Sequence, residues 1–170
     1  MRDSMNCKPS KPSRSRPIRY YNLKYDFGID FPRWWGKYIV VARPRTIGGD
    51  VYLPFLFRYG GKIYDPVFTI VISPFGARKW RRRYGDSPLV FIGERRGRSY
   101  SYMLPEELPD AFLKPDRSDY DYRKYRKPIR LLTRMVRTAP GLLKSFRLSS
   151  VRCCASRRLT RREKCRTAAQ

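Results

Sequence analysis

Between Leu56 and Ile72 the chain reads Leu-Phe-Arg-Tyr-Gly-Gly-Lys-Ile-Tyr-Asp-Pro-Val-Phe-Thr-Ile-Val-Ile. A strand-like start runs into two adjacent glycines. Pro66 then releases a strongly β-forming run. Paired glycines between two β-forming runs are the signature of a tight hairpin, because glycine adopts positive φ without steric cost. The first strand extends back to Val51, with Pro54 pointing to an edge position or a bulge. The run Val67–Ile72 is β-branched and aromatic enough to be buried on both faces. Leu89-Val90-Phe91-Ile92 reads as a third strand, closed by Gly93. This region is the part of the sequence that reads as an ordered core.

The flanks have a different texture. Residues 1–19 are rich in Pro, Ser and Arg and read as an extended arm. Residues 20–50 are aromatic and punctuated by proline, with a short strand expected within Lys37–Ala42. Trp34 and Trp35 read as packing anchors. Between the second and third strands, Arg78-Lys79-Trp80-Arg81-Arg82-Arg83 reads as a dense basic loop, and Arg95-Arg96-Gly97-Arg98 follows the third strand. The two clusters flank one strand and are expected to meet at one end of the sheet. Pro105, Glu106, Glu107 and Asp110 suit a short helical turn within 104–115, and capping explains these acids better than acid–base chemistry. Residues 116–128 read as a charged, tyrosine-rich linker. Ile129, Leu132, Met135 and Val136 fall on one side of a helix near 129–138, opposite Arg130, Arg134 and Arg137, and Pro140-Gly141 is expected to end it. The expectation is an α+β fold: a small mixed β-sheet core at 51–115, one or two short helices, and long basic extensions at 1–50 and 116–170.

The chain carries 39 Lys and Arg against 14 Asp and Glu, a net charge of +25. Self-repulsion at that imbalance is most simply relieved by a polyanionic partner. Residues 117–170 alone hold 17 basic and 3 acidic residues and are expected to order on RNA or a protein partner. Arginine dominates, which suits bidentate phosphate contacts and stacking. Thirteen tyrosines interleave with the cations, as in Tyr120-Asp121-Tyr122-Arg123-Lys124-Tyr125-Arg126-Lys127. Such faces both stack on bases and hold phosphates. A membrane surface would attract the same charge, but no apolar run reaches the roughly 20 residues of a spanning helix.

Catalytic motifs are missing. The chain has no histidine, no P-loop and no nucleophile elbow. Gly60-Gly61-Lys62 is too short for nucleotide binding and is explained by the hairpin. Cys7, Cys153, Cys154 and Cys165 lack the close pairing of a zinc site and read as free thiols. No cofactor and no metal are expected.

The core resembles the bacterial-type small-ribosomal-subunit protein S-sixteen family, mitochondrial members included. The resemblance rests on the strand Leu53–Phe57 followed by Arg58, the turn Gly60-Gly61-Lys62, the Pro66-Val67-Phe68 start of a strand continuing Thr69-Ile70-Val71-Ile72, and Leu89 to Gly93. It covers about 40 residues. The chain departs from the family at Ser73-Pro74-Phe75, at the longer Arg78–Asp86 segment and at Val90. What the resemblance implies is a non-catalytic rRNA binder with a role in small-subunit assembly, in a mitochondrial ribosome of the matrix. The expected phosphate contacts are Arg58, Lys62, Arg78, Lys79, Arg81, Arg82, Arg83, Arg95, Arg96 and Arg98. Tyr59, Tyr64, Trp80 and Tyr84 are the aromatic candidates for base stacking or for the core. The arms would reach neighbouring ribosomal proteins, with no homo-oligomer and no membrane. The alternative is an accessory subunit of a large organellar membrane complex, with anionic lipid as counter-charge.

Overall fold

The computed structural model describes residues 16–148. β1 (Ile18–Asn22) and β2 (Phe27–Phe31) form an antiparallel hairpin. A 3-10 turn at Arg33–Lys37 leads to the short strands β3 (Ile39–Val41) and β4 (Arg45–Ile47). The long strands β5 (Asp50–Tyr59) and β6 (Lys62–Ser73) follow, then α1 (Ala77–Tyr84), β7 (Val90–Arg95) and β8 (Arg98–Met103). After a 3-10 turn at Asp110–Phe112 come α2 (Arg126–Leu143) and β9 (Arg147–Leu148). The expected α+β class is what the chain adopts; the sheet expected as mixed is antiparallel, and of the two helices only α2 falls where a helix was expected. Every strand pair in it is antiparallel.

The hairpin read from Gly60-Gly61 is present. Tyr59 pairs with Lys62 across the turn, and the two glycines sit at φ 57° and 79°. These angles suit a type I′ turn, whose twist matches that of the flanking strands. β5 and β6 lie in the middle of a six-stranded sheet ordered β3-β5-β6-β8-β7, with β4 also paired to β5. Pro54 is therefore not on an outer edge. The register shifts beside it, between Phe55 and Leu56, supply the expected bulge.

The two faces of this sheet do different jobs. Leu53, Phe55 and Phe57 of β5 lie on one face with Phe68, Ile70 and Ile72 of β6. This face packs on Phe27, Ile29 and Phe31 of β2 and on the apolar side of α2. Phe55 and Phe68 stack with centroids 4.5 Å apart, and Phe31 and Trp35 close over them. The opposite face carries Val71, Ser73, Ser99 and Ser101, all buried, where α1 lies. Both faces of Val67–Ile72 are thus covered, as its composition requires.

Several sequence-based boundaries shift. Residues 18–50, expected as an extension, supply four strands and buried side chains that include Phe27, Ile29, Phe31, Trp35 and Asp50. The small sheet β1-β2-β9 joins them to the C-terminal part, since β9 pairs with β2. Residues 126–148, also expected as an extension, bury Ile129, Leu132, Met135, Ala139 and Leu143 in the same core. The driving force is area. At about 25 cal/mol per Å² of apolar surface, aromatics and leucines outweigh the cost of ordering a charged chain. Residues 1–15 and 149–170, with the four cysteines, lie outside the described residues.

α2 starts earlier and ends later than its periodicity suggests. Pro140 is inside it. Proline removes one backbone donor, but it sits in the last turn, and burial of Ala139 and Leu143 carries the helix past it. The expected helical turn within 104–115 shrinks to Asp110–Phe112. It seats Phe112 between Tyr64 and Tyr125, at 4.8 and 5.1 Å. No helix among the described residues is long and apolar enough to cross a membrane.

Candidate nucleic-acid interface

The segment expected as a basic loop is a helix. Eight residues are too few to be helical alone, so the explanation lies in what α1 docks on. Trp80 and Tyr84 are four apart and share one side. Trp80 is only 5% exposed and packs on Phe91 at 5.0 Å. Tyr84 reaches the sheet through its hydroxyl, which donates to a carboxylate oxygen of Asp50, itself 2% exposed.

The register explains how the helix lies. Glu94 pairs with Ser99, and Ser99 with Ser73. The β5–β6 ladder, continued one step from Val51 and Ile72, places Asp50 beside Ser73. Four polar side chains thus form a row across β7, β8, β6 and β5. Four strands span about 14 Å, and an eight-residue helix about 12 Å. The helix runs along the row. Its Ala77 N–H donates to Glu94 Oε2 at 2.7 Å, the Ser99 hydroxyl donates to the Phe75 carbonyl at 2.7 Å, and Tyr84 bonds Asp50 at the far end. Glu94 is the N-cap that the local sequence lacks, since Gly76 offers no side chain. Glu94→Ala is expected to cost about 1 kcal/mol, read as a lower urea midpoint. An unchanged midpoint would mean that the cap contributes nothing.

With Trp80 and Tyr84 turned inward, the five cations Arg78, Lys79, Arg81, Arg82 and Arg83 are all exposed. None forms an ion pair with a described residue. Lys79 and Arg83 lie over Phe75 at 5.1 and 5.8 Å, and Arg83 also lies 5.5 Å from the Tyr84 ring centroid. These contacts orient the side chains without neutralising them. The cations of the last turn also suit the negative end of the helix.

The second cluster sits at the same end of the sheet. Arg96-Gly97, at φ 48° and 71°, turns the β7–β8 hairpin immediately after Glu94 and Arg95. Glu94 therefore brings the start of α1, with Arg78 and Lys79, beside this hairpin, while Arg81, Arg82 and Arg83 lie in the last turn, toward Asp50 on β5. The members of the second cluster are not equivalent. Arg95 is half-buried and donates to the Leu148 carbonyl, which ties β9 to the main sheet. Arg96 is paired with Asp26 at 3.1 Å. Arg98 is exposed, with no ion pair to a described residue.

Arg58 and Lys62 lie apart from these. They flank the Gly60-Gly61 turn at the other end of β6. Arg58 donates to the carbonyls of Lys37 and Gly36, at 3.3 and 3.5 Å, and closes the 3-10 turn at Arg33–Lys37. Of the aromatic candidates, Trp80 and Tyr84 serve the docking of α1. Tyr59 and Tyr64 remain half-exposed at the Arg58 end.

Tyr84 also gives the docking a pH dependence. Burial raises its pKa above the usual 10, and the hydrogen bond to Asp50 and the charge of that carboxylate raise it further. Burial raises Tyr100 and Tyr20 in the same direction. The folded state then holds these protons more tightly than the unfolded one. Stability is full below about pH 10 and falls as pH rises through the unfolded value toward the folded ones. Absorbance titration near the phenolate band should show a late-ionising set of tyrosines coincident with loss of the fold. Simultaneous ionisation of all tyrosines near 10, with the fold retained, would contradict this.

Among the described residues there is no group of three or more side chains able to hold a metal ion. No protein-family model matches the chain, and no curated protein or solved structure is significantly similar to it.

Proposed function

We propose that the protein is a structural RNA-binding component of a ribonucleoprotein particle. The observation that carries this is the display on α1 of five exposed cations that form no ion pair with a described residue, on a helix anchored to the sheet by Trp80, Tyr84 and Glu94. A solvated charged face has no need of such anchoring. A face that must meet a fixed array of phosphates does, because pre-ordered side chains lose less entropy on binding. Phosphate contacts of this type position the protein and leave sequence reading to other groups.

Within that class, our reading is a constituent of the small subunit of a mitochondrial ribosome, stabilising rRNA during assembly without catalysis. It is supported by the resemblance of Leu53–Ile72 and Leu89–Gly93 to the S-sixteen family. The β5–β6 hairpin and β7 give that resemblance a consistent strand order.

The test is sedimentation of the tagged protein from a gentle organellar lysate. The protein should travel with small-subunit rRNA, leave it at high salt, and shift to light fractions after RNase. A free pool without RNA would refute RNA binding. A heavy particle that survives RNase but dissolves in detergent would favour an accessory subunit of a membrane complex.

A further inference from the structure

A second concave surface lies far from α1. Between the Gly60-Gly61 turn and the start of α2 is a cleft of about 450 Å³. That size falls in the range of roughly 300–1,000 Å³ typical of small-ligand sites. Lys62, Arg123, Lys124, Arg126 and Lys127 line it, and no carboxylate does. None of the five is ion-paired with a described residue. Five like charges around one hollow repel one another, and an anion in the hollow removes that cost.

The remaining wall is aromatic. Tyr59, Tyr64 and Tyr125 face the cleft. Tyr64 and Tyr125 are pinned from behind by Phe112. Tyr59 is held against Phe57 and Tyr38. It also borders a second hollow of about 400 Å³ with Lys37, Tyr38 and Arg58. The rings are pre-positioned beside the cations, and a ligand here meets an aromatic surface and ammonium or guanidinium groups together.

That pairing distinguishes among anions. Free phosphate or an acidic peptide would use the cations and leave the rings idle. A double helix would offer its phosphates but keep its bases inside, out of reach of tyrosines set in a hollow. A nucleotide that is not base-paired uses both, its phosphates on the cations and its base on a ring. We propose that this cleft holds an unpaired nucleotide of a single-stranded RNA segment, with its flanking phosphates on Lys62, Arg123 and Lys127 and its base against Tyr59. The proposal rests on the reading of the protein as an RNA binder and adds a second site of a different kind. The 12 residues of β6 separate the two sites by roughly 35 Å, so one protein would bridge a helical and an unpaired part of the same RNA.

The experiment uses the full chain, a short unstructured oligouridylate and a blunt RNA duplex. Binding is followed by fluorescence anisotropy, and contacts are mapped by ultraviolet cross-linking and peptide mass analysis. Oligouridylate should cross-link at Tyr59, Tyr64 or Tyr125. Tyr59→Leu should weaken oligouridylate binding about tenfold and leave duplex binding unchanged. Lys124→Glu/Lys127→Glu, both exposed, should do the same without altering the melting temperature. Oligouridylate that binds but cross-links only elsewhere, with both variants silent, overturns the cleft site and leaves RNA binding standing. Binding of neither RNA overturns both. Displacement of oligouridylate by polyglutamate of equal charge at equal concentration assigns the cleft to an acidic protein partner instead.

Discussion

Phe68→Ala is expected to remove about 3–5 kcal/mol of stability. Phe68 is fully buried at the centre of β6, stacked on Phe55 at 4.5 Å and flanked by Phe31 and Trp35, each at 6.4 Å. It thus joins the main sheet, the N-terminal hairpin and the 3-10 turn at Arg33–Lys37. Truncation opens a void that no neighbour can fill, because all three partners are rings fixed by their own contacts. Domains of this size are stable by about 5–15 kcal/mol in total, so much of the folded population is at risk. Urea unfolding followed by circular dichroism reads the loss. Ile63→Ala is the control, since Ile63 is largely exposed, and it should change stability by less than about 0.5 kcal/mol. A loss at Phe68 no larger than at Ile63 would show that the stacked rings are not the centre of the core.

The second large effect is on binding. Arg81→Glu/Arg82→Glu/Arg83→Glu reverses three exposed charges on α1 and touches neither Trp80 nor the Tyr84–Asp50 hydrogen bond. Far-ultraviolet circular dichroism should stay close to the parent spectrum, and the melting temperature should fall by only a few degrees, from the lost charge–dipole contacts of the last turn and the Arg83 contacts with Phe75 and Tyr84. Affinity for duplex RNA should fall on the order of a hundredfold at moderate salt, and the slope of log K against log salt should flatten by about 2 to 3. Both numbers are needed. A weaker affinity with an unchanged slope would mean that the helix had moved and that the phosphate contacts were elsewhere. No change in either would remove α1 from the interface.

Much of the main sheet was legible because its signals are local. Gly60-Gly61 sits between β-branched and aromatic runs, and Val67–Ile72 has no polar residue but a threonine. The apolar side of α2 was legible from its spacing. The misread segments are those where distant contacts outweigh local composition. α1 contains five cations in eight residues, which suggests a solvated loop. Its helical signal is the Trp80/Tyr84 pair at a spacing of four, and its N-cap, Glu94, is 17 residues away. β8 is masked by the adjacent Arg95–Arg98 cluster, although Ser99-Tyr100-Ser101-Tyr102 alternates strictly and buries Tyr100. β2 carries Gly28 and Asp30 and looks loop-like. Phe27, Ile29 and Phe31, at every second position, were the signal. At the cleft, the alternation of tyrosine and cation over 120–127 was visible as an RNA-binding texture. Its meeting with the Gly60-Gly61 turn depends on the docking of α2 and is not written in either segment alone.

The pairing of β2 with β9 has a temporal side. Asp30 N–H donates to the Ser145 hydroxyl at 3.1 Å, and Phe27 stacks on Phe146 at 4.9 Å, across almost the whole described chain. While the polypeptide emerges from its N-terminus, Phe31 can pack early on Trp35, Phe55 and Phe68, but the free edge of β2 and the ring of Phe27 must wait for these last partners. Long-range closure of this kind slows folding and lengthens exposure to aggregation. A nascent chain with so strong a positive charge carries its own protection in that interval, because like-charged chains repel one another before they can associate. The arginines that read as ligands for RNA in the finished protein thus also keep the unfinished one apart from its copies.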